Sequence, residues 1–118
     1  MSFGCPMVTA LLPVVTERVP FTFRHQDKVP STSGCYVLTT FEGAILYVGL
    51  TTSLNRRFAS HREDDEKCGV TPQGGAYWFY FLECPEKDIY RLERSWQNQY
   101  SSIHGELPIM NKLASPVH

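Results

Sequence analysis

The stretch Ser33-Gly-Cys-Tyr-Val-Leu-Thr-Thr-Phe-Glu-Gly-Ala-Ile-Leu-Tyr-Val-Gly49 sets the tightest limit on the fold. It reads as two strands, 34–41 and 44–49, rich in β-branched and aromatic residues and joined by a turn at Glu42-Gly43. A two-residue turn there pairs Phe41 with Ala44, Leu38 with Tyr47 and Tyr36 with Gly49. Paired residues share a face, and so do residues two apart along a strand. Tyr36 and Tyr47 then point the same way as diagonal neighbours. A three-residue loop would send them to opposite faces, because a slip of one residue inverts a strand. Each tyrosine has a glycine two residues further out: Gly34 before Tyr36, and Gly49 after Tyr47.

Downstream, Thr51-Thr52-Ser53 offers helix caps, and a helix follows over 54–62. With Leu54 as the reference direction, Phe58 lies about 40° to one side, His61 about 20° to the other and Arg57 about 60° that way. Arg57 and His61 therefore sit one turn apart at the edge of the apolar stripe, while Arg56 faces water. Gly69, Pro72, Gly74 and Gly75 mark 68–75 as a loop. Residues 76–83 are apolar on both alternating sets, as in a strand covered on both faces. Pro85 at a first helical position, with Glu86 and Asp88 behind it, starts a second helix. Its stripe is Ile89, Leu92, Trp96, Tyr100 and Ile103, and Glu93 falls inside it, about 40° from Ile89. Upstream, residues 1–31 hold half of the eight prolines, so no long helix runs through them. They read as an extension against the core, with an edge strand at Val19–Phe23. The expected organisation is an extension over 1–31, a domain over 32–112 and a polar tail over 113–118.

Charge narrows the function. With a formal net charge of -1 and a pI near 6.4, any anion site must be a local patch. The acids Glu63, Asp64, Asp65 and Glu66 read as a solvated loop or helix end. Cys5, Cys35, Cys68 and Cys84 form no C-x-x-C pair, so zinc and dithiol chemistry are weak readings and a reducing, cytoplasmic setting is expected. Residues 7–15 are apolar but short, interrupted by Pro13 and without a basic flank, so no membrane association is expected.

Taken singly, the polar residues on these elements leave alternatives open. Glu93 in an apolar stripe is a salt-bridged, a protonated or a metal-binding carboxylate. Arg57 is a cation lying beside the core, the partner of Glu93, or a guanidinium aimed at a phosphate. His61 and the two tyrosines are packing residues or proton carriers.

Taken together, they resemble the GIY-YIG endonuclease superfamily. The first tripeptide is Gly34-Cys35-Tyr36 and the second Tyr47-Val48-Gly49. Leu54-Asn-Arg-Arg-Phe-Ala-Ser-His61 is similar to the family's first helix, Arg91-Leu-Glu-Arg-Ser-Trp96 to the helix with its metal-binding glutamate, and Ile109-Met-Asn-Lys112 to its closing element. The resemblance covers about 31–112. It implies an α+β fold, a small three-stranded antiparallel sheet flanked by helices. It also implies DNA phosphodiester hydrolysis with one divalent cation, Mg2+ or Mn2+, held by Glu93. Arg57 would stabilise phosphoryl charge and Tyr47 would activate water, with Tyr36 and His61 as alternates. Asn111 would orient Glu93 or a backbone group. Two departures stand out: Cys35 replaces the isoleucine of the first tripeptide, and Leu50 replaces a lysine found after the second in some members. The latter leaves Arg57 as the expected sole cation. A silent DNA-binding or protein-interaction module on the same fold is the alternative. A partner subunit or homodimer, and the type of DNA cut, stay open.

Overall fold

In the computed structural model, which describes residues 6–113, strands and helices follow the hydrophobic pattern closely. The strands are β1 (Arg18–Pro20), β2 (Gly34–Thr39), β3 (Ile45–Thr51), β4 (Val70–Thr71), β5 (Gly74–Gly75) and β6 (Trp78–Glu83). The α-helices are α1 (Leu54–Arg62), α2 (Asp65–Cys68), α3 (Glu86–His104) and α4 (Ile109–Leu113). The expected tail over 113–118 lies outside the described residues beyond Leu113, as do Cys5 and the start of the extension. No helix among the described residues is long and apolar enough to cross a membrane.

The main sheet is antiparallel with strand order β1-β6-β2-β3. It therefore has four strands, not the expected three. The fourth is β1, whose Val19 pairs with Phe79 of β6. It answers the edge strand expected at Val19–Phe23, although it ends at Pro20 and the chain turns into a short 3-10 helix at Phe23–Lys28; proline is tolerated there because β1 is an edge. β6 is flanked on both sides and sends Phe79 and Phe81 to one face and Tyr80 to the other, as its two apolar sets require.

The hairpin between β2 and β3 departs from expectation and still keeps its consequence. Thr40 N–H donates to Ala44 O, and Gly43 N–H donates to Thr40 O, each at 3.0 Å. The loop is thus three residues, Phe41 to Gly43, with Gly43 at φ +98 supplying the left-handed conformation that such a loop needs. Phe41 does not pair with Ala44. A bulge then follows: Leu38 pairs with Tyr47 but Thr39 with Ile45, leaving Leu46 as the extra residue. The added loop residue and the added strand residue cancel in parity. Tyr36 pairs with Gly49, and both tyrosines occupy one face.

Two cores result. On one face α3 lays Ile89, Trp96 and Tyr100 over Cys35, Val37, Ile45 and Val48. On the other, α1 contributes Leu54 and Phe58 and α4 contributes Met110, packed with Tyr36, Leu38, Leu46 and Phe79. Ile103 does not join the stripe of α3; it is 64% exposed, in the last turn before the helix ends at Gly105.

The extension ties the edges. Pro6 O accepts from Ile45 N–H and Val8 N–H donates to Gly43 O, covering the start of the β3 edge. Val29 and Phe21 enter the α1 core. Pro30 O and Thr32 O accept from the first N–H groups of α1, and the Asn55 amide donates to Gln26 O and Val29 O. Ser53 caps the same helix through the Arg56 N–H.

Candidate active site

Tyr36 projects from the middle of β2 into the α1 core and is 1% exposed. Its ring stacks on Phe79 at 5.1 Å and 8°, which leaves the phenol one direction to point. Its oxygen lies 2.6 Å from His61 Nε2. Burial pushes its pKa well above the ordinary phenol value, and neighbouring Tyr47 adds to the rise while Arg57 opposes it.

Gly49 explains why the second tripeptide ends as it does. A Cβ there would stand 2.5 Å from both Cζ and the hydroxyl oxygen of Tyr36, and 2.8 Å from the Tyr47 ring. Only glycine lets the edge strand pass the phenol tip. Gly34 serves a different contact: a Cβ would run into the backbone carbonyl oxygen of Leu82 on β6 and come within 3.0 Å of Leu54. It admits close pairing of two strands beneath the start of α1.

Tyr47 stands beside Tyr36, with ring centroids 5.9 Å apart, and edge-on to His61 at 5.5 Å. Unlike Tyr36 it is only half-buried. Burial raises its pKa; hydrogen bonding from Tyr36 and the Arg57 charge pull it down, while Glu93 and Asp64 push it up. His61 is 5% exposed, and its pKa falls to about 3 through burial, then through the charges of Lys67 and Arg57. It is a neutral imidazole throughout the physiological range.

Arg57 is exposed on α1, and among the described residues no ion pair joins it to Glu93. It is not the sole cation near the tyrosines. Lys67, 3% exposed on α2, holds its ammonium 4.5 Å from the centroid of the Tyr47 ring. No local pattern marks this, because the fold alone turns α2 back over the strand.

Glu93 approaches from α3, on the opposite side of the sheet from the two phenols, and reaches their field around the β3 edge. It is half-buried, and burial raises its pKa against the pull of Arg94. Gln97 Nε2 donates to Glu93 Oε2 at 3.3 Å and to Val48 O at 3.4 Å. Asn111 meets the same residue: its Oδ1 accepts from Val48 N–H and its Nδ2 donates to Val48 O, both at 2.9 Å. The Asn111 amide thus substitutes for a neighbouring strand and fixes the backbone of the second tripeptide. Of the two roles expected for Asn111, the backbone one matches this geometry. Gln97 was missed, although its spacing of four from Glu93 is a readable helical pairing.

The six expected residues therefore form a direct cluster of Tyr36, Tyr47 and His61, a charged surround of Arg57 and Glu93, and a backbone clamp at Asn111. A 650 Å³ cavity along the outer face of α3, lined by Tyr90, Arg94 and Asn98 among others, contains none of them. Among the described residues no three His, Cys, Asp or Glu side chains gather as a metal cage. Glu93 offers a single hard oxygen donor group, a set suited to a divalent ion that keeps most of its waters.

Comparison with known proteins places these features in context. The family profile described as the GIY-YIG catalytic domain matches residues 32–106. No curated protein matches the chain. Among solved structures, the chain is similar to the GIY-YIG N-terminal endonuclease domain of UvrC from Thermotoga maritima, in a tyrosine-to-phenylalanine point mutant bound to its catalytic divalent cation. The TM-score is 0.52 at 17% identity, over 76% of this chain and 97% of that one, so the likeness is one of fold.

Proposed function

Because the chain belongs to the GIY-YIG catalytic-domain family, a family of nucleases that hydrolyse phosphodiester bonds, we propose that it is a divalent-cation-dependent DNA endonuclease active through residues 32–112. The observation that carries this is the cluster itself: the Tyr36 oxygen 2.6 Å from a neutral His61, with half-buried Tyr47 beside it and Arg57 in no ion pair among the described residues. The open Arg57–Glu93 pair favours catalysis over a purely structural salt bridge.

Each residue has a role its chemistry suits. Tyr47, which reaches the surface, takes a proton from the attacking water. His61 Nε2–H donates to the Tyr36 oxygen, and the Tyr36 O–H donates to the Tyr47 oxygen, so a chain of donors stabilises Tyr47 as a phenolate. Arg57 stabilises charge that builds on the phosphoryl oxygens, its planar fork matching two of them. Glu93 would hold the cation, Mg2+ or Mn2+, and Gln97 orients that carboxylate. When bound, the cation supplies Lewis-acid neutralisation of the phosphate and leaving oxygen. Asn111 keeps the strand carrying Tyr47 in register. Residues 6–31, the described part of the extension, act as packing on this domain rather than as a second domain, and the thiol chemistry suits a cytoplasmic setting.

A panel of linear, nicked, flap and junction DNAs with Mg2+ or Mn2+ tests the reading. Cation-dependent cleavage is expected, lost in Glu93→Ala and in Arg57→Ala while both variants stay folded. Cleavage that survives Glu93→Ala would remove that residue as the cation ligand. Tight binding without any cleavage would favour a silent DNA-binding module. Sedimentation of the active species decides between a monomer, a homodimer and a need for a partner subunit.

A further inference from the structure

Lys67 is a buried charge for which the roles above have no use. Its side chain is 4% exposed, and its ion-pair partner Asp64, itself 39% exposed, lies 3.7 Å away. That is beyond ordinary hydrogen-bond length, so the ammonium is poorly compensated for its loss of water. The fold nevertheless holds it in place. Asp64 caps α2 through the Glu66 N–H at 2.9 Å, and the Cys68 thiol donates towards the carbonyls of His61 and Arg62 at 3.3 Å, folding α2 onto the end of α1.

We propose that Lys67 is a positioning residue of the nuclease site, its cation over the Tyr47 ring favouring the ionised phenol that activates water. This rests on the nuclease reading above. A cation is drawn to the π face of a phenol ring, and more strongly as the ring gains electron density on ionising. The charged and titratable groups around Tyr47 are Tyr36 from β2, Arg57 and His61 from α1, Asp64 from the turn after α1, Lys67 from α2 and Glu93 from α3. Two cations there oppose two carboxylates, so removing one cation tips the balance against the phenolate. Lys67 also helps to keep His61 neutral, the form that the donor chain to Tyr36 and Tyr47 needs. Position 50 carries leucine, so the charge beside the second tripeptide comes from a separate helix rather than from the strand.

The test is a pH titration of the full chain labelled with 13C at tyrosine Cζ, the Tyr47 signal being the one lost in Tyr47→Phe. Lys67→Met, which keeps the apolar stem, should move the Tyr47 midpoint up by about one pH unit and lower cleavage near neutral pH about tenfold. Lys67→Arg should restore both. A slower Lys67→Met enzyme with an unmoved midpoint overturns the proposal, since the stem then merely packs on the ring. If Lys67→Met does not fold, Lys67→Gln decides, because glutamine keeps a polar tip while removing the charge. A Tyr47 midpoint that moves up supports the proposal, and one that stays overturns it. The titration needs no cleavage, so a wild-type protein that cuts no DNA would overturn the nuclease reading while the effect of Lys67 on Tyr47 is still measured.

Discussion

The two glycine–tyrosine tripeptides are near mirror images in sequence and opposites in the fold. Gly34-Cys35-Tyr36 lies on β2, which has a strand on either side and a core on each face. Tyr47-Val48-Gly49 lies on β3, the edge strand, whose free side is covered piecemeal by Pro6, Val8 and Asn111. Central placement seals Tyr36; edge placement leaves Tyr47 half-open. One phenol is sealed in the core and the other reaches the surface, a difference set by position in the sheet rather than by residue type. Their glycines differ likewise: Gly34 makes room for a neighbouring backbone, Gly49 for the other tripeptide's side chain.

The sharpest test of this contrast is the pair of phenylalanine variants. Tyr47→Phe should cut cleavage about 1,000-fold with little change in stability, as loss of a positioned base does. Tyr36→Phe should cost less activity but about 1–3 kcal/mol of stability, because it strands the His61 Nε2 in the core. Equal activity losses, measured by single-turnover cleavage beside denaturant melts, would break the distinction.

The glycines come next. Gly34→Ala meets a backbone carbonyl that cannot swing away and should cost about 3 kcal/mol or more. Gly49→Ala meets a side chain that can move, so it should cost roughly half as much stability while displacing Tyr36 and lowering the cleavage rate. Chemical denaturation of both variants checks the order.

His61 gives a pH signature to the sealed side of the site. Unfolded, it takes up a proton near pH 6.5; folded, it resists until about pH 3. The unfolded chain therefore binds more protons in that window, and stability falls as pH drops through it, by up to about 1.4 kcal/mol per pH unit. His61→Gln should flatten the melting temperature between pH 7 and 4. An unchanged slope would mean that other groups govern the acid limb.

The smallest effect belongs to Glu93. Its pKa is raised by burial, so the folded state favours the neutral form, and stability declines as pH rises from 4.5 through the folded value. Glu93→Gln removes that penalty. Discounted for its partial exposure, the gain should be roughly 2 °C in melting temperature without cation, measured calorimetrically, while activity is lost.

The local patterns were legible along the chain. Apolar spacing set α1 at 54–62, the double-sided run at 76–83 announced a strand with cores on both faces, and the order of the tripeptides, Arg57, His61, Glu93 and Asn111 carried the family. Turn parity was less legible. The hairpin has a three-residue loop and a compensating bulge at Leu46, and both leave the alternation of Tyr36 and Tyr47 unchanged, so the sequence predicted the right face through the wrong turn.

What the sequence determined by itself is therefore what short-range physics writes down: helix faces, strand faces, caps and the residue types a nuclease site needs. Tertiary structure alone decided that the edge strand pairs with β6 as a fourth member of the sheet, that Glu93 comes from the helix on the opposite face from the two phenols, and that Lys67 sits over Tyr47. These depend on contacts between residues far apart in the chain. Such contacts are set by which edge is free and which helix folds back, and no local period records that.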